Sequence, residues 1–428
     1  MTPRTAFVDR LLARLRQMRD LLRQEPLALD AQTRFADAVD SMGFVEFLAL
    51  VAEDCGVPVE TIEQAAGHRY GSVGELAAAL DAAGLRLDEA RSPLSATSRK
   101  RASEARPTGE TPVPPAWLAA TAARLPVHRQ PASEINAALR RPSGWLEGHA
   151  GIEARCLWRD EDPLDAAASA AQDCLNQAGL SAAALGALLV TSEAPPLLTG
   201  LASALHARLG LASSTAALEI GGSCTGFLMA LWTACRLLAD SAAVLVIAVE
   251  SPSRWLSLAP TAAGEAAALF GDGAAACMLT AQPTSGTALS LRNILLGTDG
   301  SVGSLLRAEY ETSGGVMVHM VGVPLAHRAV RTMADAVRQL SVRHGLSVDQ
   351  LAAVVAHGGN GRMPALLARR LGVPIERVWS ATARLGNLGS ASVPIAWGLG
   401  NPSVSPPVMW TAVGAGLQWG AALFDTST

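Results

Sequence analysis

The stretch Ala217-Leu218-Glu219-Ile220-Gly221-Gly222-Ser223-Cys224-Thr225-Gly226-Phe227-Leu228-Met229-Ala230-Leu231 reads as an apolar strand that breaks at two glycines, followed by an amphipathic helix that begins at a sulfur. Backbone N–H groups at a helix start carry partial positive charge and lack intrahelical acceptors, so they favour an anionic sulfur and can lower the pKa of Cys224. By itself the same placement suits a buried, inert cysteine equally well. Outward from it the pattern recurs. Short, mostly apolar runs at 185–192, 242–250 and 351–357 have the character of buried parallel strands, and helical periodicity at 166–178, 225–238, 326–344 and 364–371 alternates with them. The alternation occurs twice, before and after about Gln282, which predicts an α/β layered domain. Residues 407–424 read as two strands around a glycine turn.

Composition narrows the class of function. The chain has 428 residues, half of them apolar, enough for a large core and for more than one domain. A net charge of -4 with no basic stripe argues against a nucleic-acid partner. Six cysteines (Cys55, Cys156, Cys174, Cys224, Cys235 and Cys277) are scattered, with no C-x-x-C pair and no metal-ligand spacing, so the expectation is a reduced, cytoplasmic protein without a metal. No uninterrupted apolar stretch approaches membrane-spanning length, and none is expected to bind a membrane.

Between 91 and 115 the apolar periodicity stops and Ser, Thr, Arg, Glu and five prolines take over. Such a segment cannot bury a core and reads as a flexible linker with an r.m.s. span of roughly 25 to 30 Å. Residues 1–90 before it read as a small helical bundle, with fifteen Asp and Glu against nine Arg. Helical spacing is expected at 7–22, from Ser41 to about Asp54, near 59–65 and at 73–83.

The run Val39-Asp40-Ser41-Met42-Gly43-Phe44-Val45-Glu46-Phe47 resembles the Asp-Ser-Leu signature of acyl carrier proteins, and Tyr70-Gly71-Ser72-Val73-Gly74-Glu75-Leu76-Ala77 resembles the start of their last helix. That resemblance implies an all-α four-helix acyl-carrier bundle. It also implies a 4'-phosphopantetheine arm on Ser41, attached by a phosphopantetheinyl transferase and carrying acyl groups as thioesters. Met42 departs from the usual Leu. Ser41 also suits a plain N-cap, and the two roles are compatible.

Further along, Val355-Ala356-His357-Gly358-Gly359-Asn360-Gly361-Arg362 and Gly386-Asn387-Leu388-Gly389-Ser390-Ala391-Ser392-Val393-Pro394 join Cys224, Phe270-Gly271-Asp272-Gly273 and Gly414-Ala415-Gly416 in one order. Residues 116–428 thereby resemble β-ketoacyl-acyl carrier protein synthase III of the thiolase superfamily. The resemblance implies a thiolase-like α/β fold with two related βαβ-type halves, about 116–282 and 283–428, in a homodimer. Cys224 is then the acyl-accepting thiolate, and the backbone N–H groups of Cys224 and Ala415 form the oxyanion hole. His357 and Asn387 are neutral donors to the enolate formed when a malonyl-type thioester loses carbon dioxide. Trp145, Arg254 and Asn360 fall at positions that contact coenzyme A, so acyl-CoA or acyl-carrier thioesters are the expected substrates. Taken singly, His357 also suits a structural strand-end histidine, Asn387 a turn residue and Trp145 a surface tryptophan. Asp272 reads as a brace of the sheet.

The sequence departs from the family at Gly222-Ser223, where Ala-Ala is usual, and at Gly358-Gly359, where Gln-Ala is usual. Those changes, and a carrier on the same chain, direct the expectation to polyketide or other secondary metabolism and away from housekeeping fatty acid initiation. The main expectation is decarboxylative Claisen condensation. The alternatives are acyl transfer from Cys224 to a hydroxyl, amine or carrier thiol, against which Asn387 argues, and a non-catalytic docking protein, against which the intact Cys, His and Asn argue. A tether of this length presents the arm of Ser41 at an effective concentration on the order of millimolar.

Overall fold

The computed structural model describes residues 3–21, 27–39, 41–57, 59–66, 71–87, 114–194, 200–284, 289–310, 316–320, 322–400 and 404–426. The expected linker therefore lies almost wholly outside the described residues, as do Asp40, Tyr70 and the side chain of Ser41. The chain divides into two compact units, Met1–Thr111 with Gly322–His327 and Pro112–Val321 with Arg328–Thr428.

In the first unit helices span Pro3–Leu21, Ser41–Cys55, Val59–Ala66 and Val73–Ala82, and a short turn of helix at Phe35–Ala38 interrupts what the sequence reads as loop. Phe7, Leu11, Leu15 and Met18 recur on one face of the first helix, as 3.6-residue periodicity requires, and share a core with Phe44, Phe47, Val51, Ile62, Val73, Leu76 and Leu80. Phe35 fills the centre, its ring 4.8 Å from that of Phe44 and 5.1 Å from that of Phe47. Buried Asp54 ties two helices together, accepting from Arg14 at 2.6 and 2.8 Å and from Arg10 at 2.6 and 2.9 Å. Burial alone would raise its carboxyl pKa, but the bonds to Arg14 and Arg10 win and hold it below the usual range. The last helix starts in a capping box, in which Ser72 Oγ accepts from Glu75 N–H and the Glu75 carboxylate accepts from Ser72 N–H.

The second unit is built on strands β1 (Trp117–Arg124), β2 (Arg129–Pro131), β3 (Ala154–Cys156), β4 (Leu185–Thr191), β5 (Ala216–Glu219), β6 (Ala243–Glu250) and β7 (Gly273–Thr280), then β8 (Leu289–Thr298), β9 (Leu306–Tyr310), β10 (Val316–Met320), β11 (Ala353–Ala356), β12 (Val378–Trp379), β13 (Val408–Gly414) and β14 (Gln418–Asp425). Strands β2 and β3 form one small ladder, β9 and β10 another, and the other ten form one sheet in the order β12-β11-β13-β14-β8-β1-β7-β6-β4-β5. The sheet is a duplication. From either edge inward come the third, second, fourth, fifth and first strand of that half, and the two first strands meet at a short seam where Trp117 faces Ser290 and Leu118 faces Leu289.

Directions match as well. Strand β4 runs parallel to β5 and β6 as β11 does to β12 and β13, and the last two strands of each inward set are antiparallel. The parallel central strands are the apolar runs that the sequence marks, buried on both faces because helices cover both sides.

Helix Gly226–Leu237 is apolar almost all round. Its Phe227, Leu228, Leu231 and Ala234 share one core with β6 (Val244, Val246) and with β13 and β14 (Ala412, Ala422, Phe424), so this helix lies between the two halves. Helix Ser392–Gly398 contributes Val393, Ile395 and Ala396 to the same core. Helix Pro163–Ala178 covers the other face of the first half through Ala167, Ala170, Ala171, Cys174 and Leu175. The two inner helices bring the chain segments before each of them, Gly221–Thr225 and Gly386–Ala391, to the same region between the halves. Strand β5, apolar in sequence, proves to be a largely exposed edge, with Leu218 41% exposed.

Candidate active site

Cys224 lies in the turn Ser223–Thr225, two residues before helix Gly226–Leu237, not at the helix's own first residue. The turn demands its residues. Gly222 has φ +121, a backbone conformation that strains an L side chain, and a Cβ there would stand 2.5 Å from Met229 Sδ, which would have to shift. Ser223 is held at φ +51, a strained conformation for a non-glycine residue. Its hydroxyl offsets part of that cost by donating to Glu193 Oε1 at 3.0 Å. Thr225 Oγ1 donates to the carbonyl of Gln418 at 2.9 Å and anchors the turn to β14.

The end of β13 packs directly on the turn. A Cβ on Gly414 would meet Cys224 N at 3.0 Å and Thr225 N at 3.1 Å, which requires glycine and brings Ala415 beside the Cys224 backbone. His357 follows β11, is 3% exposed, and is fixed by its backbone N–H to Thr411 of β13 at 2.9 Å. Its Nδ1 pairs with Ser392 Oγ at 3.1 Å. Burial pulls the imidazole pKa down to about 4, so the ring is neutral throughout the physiological range. Asn387, 5% exposed, is pinned through its backbone by Leu269 O at 2.7 Å and Gly271 N at 2.9 Å. Its Oδ1 accepts from Gly389 N–H at 3.0 Å, which turns the NH₂ end the other way.

The Phe270-Gly271-Asp272 segment thus positions Asn387, and Asp272 braces the loop by accepting from Trp158 N at 2.7 Å and Ser253 N at 3.1 Å. Its role is the bracing one that the sequence suggests.

The electrostatics around the sulfur differ from the sequence expectation. Burial and then Glu193 push the Cys224 thiol well above its ordinary pKa, with Glu250 adding to the effect. The helix-start field is outweighed by burial first and then by the two carboxyl groups that share the pocket. Glu250, 1% exposed at the end of β6, accepts from Glu193 N–H and from Ser390 N–H, each at 3.0 Å, and from the Ser390 hydroxyl. Sequence reading missed Glu193, Glu250 and Ser392. A glutamate ending the buried strand β6 was the one visible signal, since an acid closing an apolar run seldom buries without a purpose.

The residues assigned to coenzyme A are more scattered. Trp145 opens the short helix Trp145–Ala150, stacks on His149 at 5.1 Å and has Arg141 5.3 Å from its ring centre. Asn360 Oδ1 accepts from Arg362 N at 3.0 Å and Met363 N at 3.2 Å, holding the start of helix Met363–Leu371. Its loop meets the Trp145 helix through Gly361 N–H and Ala150 O at 2.8 Å. Arg254 is exposed, donates to Glu161 O at 2.9 Å, and lines a cavity of about 400 Å3 with Leu164, Ser192, Leu201 and Trp255, which Cys224 does not line.

A duplicated mixed sheet around a buried helix, with the Cys224 turn packed against the Gly389–Ala391 turn that follows Asn387 and against β13, to which His357 is bonded, defines a thiolase-type α/β fold. Family profiles agree: 3-oxoacyl-[acyl-carrier-protein] synthase III matches residues 218–300, and its C-terminal part matches 342–426. The chain is 32% identical over 301 residues to a β-ketoacyl-[acyl-carrier-protein] synthase III of Oleidesulfovibrio alaskensis, covering 66% of this chain and 90% of that one. It is 34% identical over 346 residues to a 3-oxopimeloyl-[acyl-carrier-protein] synthase of Rhodothermus marinus, covering 74% and 97%. Among solved structures, the priming β-ketosynthase of the R1128 polyketide pathway superposes with a TM-score of 0.65 at 26% identity, covering 73% of this chain and 96% of that one. The chain belongs to the 3-oxoacyl-[acyl-carrier-protein] synthase III family and is an enzyme of that transferase class. No helix among the described residues is long and apolar enough to cross a membrane.

Proposed function

We propose that the chain is a ketosynthase fused to its own carrier: residues 1–90 carry acyl groups on a phosphopantetheinyl Ser41, 91–115 tether them, and 116–428 acylate Cys224 and condense the acyl group with a malonyl-type thioester. The observation that carries the condensation is the pair of buried, neutral, oriented donors. When carbon dioxide leaves, negative charge grows on the thioester oxygen, and donors that cannot surrender a proton outright stabilise that enolate without quenching it. His357 is such a donor. If Ser392 Oγ–H donates to Nδ1, the ring proton sits on Nε2. Asn387 is the other, its amide oxygen already committed to Gly389. The backbone N–H groups of Cys224 and Ala415 would hold the oxyanion of the acylation step.

Trp145, Arg254 and Asn360 are the proposed contacts for coenzyme A, with acyl-CoA and acyl-carrier thioesters as substrates. The exposed edge β5 is the proposed seam of a homodimer, since an unpaired strand of this kind invites pairing with its own copy. A polyketide or related specialised pathway is the proposed setting, supported by the likeness to the R1128 priming enzyme.

Ser392 should matter only through His357. Ser392→Ala is expected to slow carbon dioxide release from a malonyl thioester about tenfold while Cys224 acylation stays near the wild-type rate, because a ring free to turn loses the aligned donor geometry. The carrier reading is tested by intact-protein mass spectrometry after treatment with a phosphopantetheinyl transferase and coenzyme A. Wild type should gain one phosphopantetheine and Ser41→Ala none. An unmodified wild type, or an equally modified Ser41→Ala, overturns the carrier assignment and leaves the synthase assignment to its own test.

A further inference from the structure

Condensation as described makes no use of Glu193, yet Ser223 Oγ stands between its carboxylate, 3.0 Å away, and the reacting sulfur, 3.9 Å away. Glu193 follows β4, and its neighbours Ser192 and Ala194 line the 400 Å3 cavity on one side of the chain. Its own carboxylate accepts from Ser223 Oγ at 3.0 Å, and that same Oγ lies 3.9 Å from Cys224 Sγ. Glu250 stands next to Glu193. A Cβ built on Gly389 would be 2.9 Å from the Glu250 carboxyl carbon and 3.0 Å from that of Glu193, so both carboxyls converge on one point that only glycine leaves open. Among the described residues, none of the groups acting on either carboxyl is a cation.

Two carboxyls this close disfavour ionising together, so one of them holds its proton more tightly than an ordinary glutamate. Burial raises both, and Glu250 is raised further by Glu193. Losing the Cys224 proton to solvent would place a second anion in this pocket. Moving it onto Glu193 carries the existing charge from oxygen to sulfur and leaves the number of buried charges unchanged. His357 is badly suited to take the proton, since its buried ring resists charging.

We propose that Glu193 is the proton acceptor for Cys224 during acylation, a catalytic residue outside the Cys-His-Asn set, with Ser223 holding its carboxylate in place. The S–H bond of Cys224 breaks as an O–H bond forms on Glu193. The freed sulfur attacks the thioester carbonyl, the bond to the departing thiol breaks, and Glu193 returns the proton to that departing sulfur. The substitution of serine for the usual alanine at position 223 then has a purpose, because alanine could not orient the carboxylate.

This inference rests on the reading of Cys224 as acyl acceptor, and the test separates the two. With the full chain, the rate of Cys224 acylation by a panel of acyl-CoA thioesters, acetyl to octanoyl, is followed by quenched-flow mass spectrometry from pH 5 to 9. Melting curves are recorded for Glu193→Gln and Glu193→Asp. At pH 7 Glu193→Gln is expected to acylate about 100-fold more slowly and to depend on added hydroxide, whereas Glu193→Asp should keep the wild-type acid limb and recover to within about tenfold. Alkylation of Cys224 by iodoacetamide, which needs the same proton removed, should slow in Glu193→Gln and recover in Glu193→Asp.

Acylation of Glu193→Gln at or above the wild-type rate overturns the proposal. So does slowing of acylation and alkylation to the same degree in Glu193→Asp as in Glu193→Gln, the mark of a merely structural role. Absence of any label on Cys224 in wild type overturns the acyl-acceptor reading itself.

Discussion

Cys224→Ala is expected to lose all acyl label on the synthase half and to lower condensation at least about a thousandfold, the scale on which removing a covalent nucleophile acts. Cys224 is 6% exposed in a turn fixed by Gly222, Ser223 and Gly414, and none of the other described cysteines lies in that turn. Cys156, Cys174, Cys235 and Cys277 are buried in cores, and burial raises the pKa of each. Alanine here fills no space that cysteine leaves empty and keeps the same turn, so the melting temperature should change little. Carbon dioxide release from a malonyl thioester should survive in this variant, because the donors that stabilise the enolate are untouched. Residual label distributed over other cysteines, with condensation intact, would remove Cys224 from the mechanism.

His357→Ala and Asn387→Ala are expected to show the reverse pattern. Each should lower carbon dioxide release by about 100- to 1000-fold, the range for loss of one preorganised donor, while Cys224 still acquires its acyl group. The double variant should be little worse than either single one, since the two act on one oxygen as a unit. The pH dependence follows from burial. His357 titrates at about 4 in the folded chain, below its ordinary value near 6.5, so the donor form persists across neutral and mildly acid pH. Carbon dioxide release from pre-acylated enzyme should hold from pH 8 down to about pH 5 and fail toward pH 4. Stability shares the sign. The buried neutral ring contributes fully above the unfolded value and its contribution is lost as pH falls through the folded one, a loss that His357→Gln should reduce in acid melts.

Much of this was legible in the chain itself. The strand, glycine pair and cysteine in 217–224, and the Gly-Asn-Leu-Gly run at 386–389, encode sharp turns, and turns of that kind are written locally, in residues that tolerate positive φ. The parallel central strands were legible because burial on both faces leaves an unbroken apolar run. What periodicity could not give was long-range. The identical strand order of the two halves and the antiparallel return of β7 and β14 depend on contacts between residues far apart in sequence. The edge position of strand β5 was not legible either, because an apolar segment at a sheet edge looks the same in sequence as one inside.

Glu193 escaped for a similar reason. Ser192-Glu193-Ala194-Pro195 has the composition of any exposed loop, and only the fold brings its carboxyl to a cysteine 31 positions away. The helix-start argument for a low Cys224 pKa counted the backbone and had no means of counting first the burial of the sulfur and then Glu193 and Glu250.

One single-turnover measurement tests the central claim most directly. Enzyme carrying one acyl group on Cys224 is mixed with a malonyl thioester, and carbon dioxide, the Cys224 adduct and the released thioester are counted together. Condensation predicts one carbon dioxide for each acyl group lost from Cys224, and a thioester product longer than the starting acyl group by the two carbons that malonyl contributes after decarboxylation. Loss of the acyl group unchanged onto a thiol, hydroxyl, amine or water, without stoichiometric carbon dioxide, would contradict it.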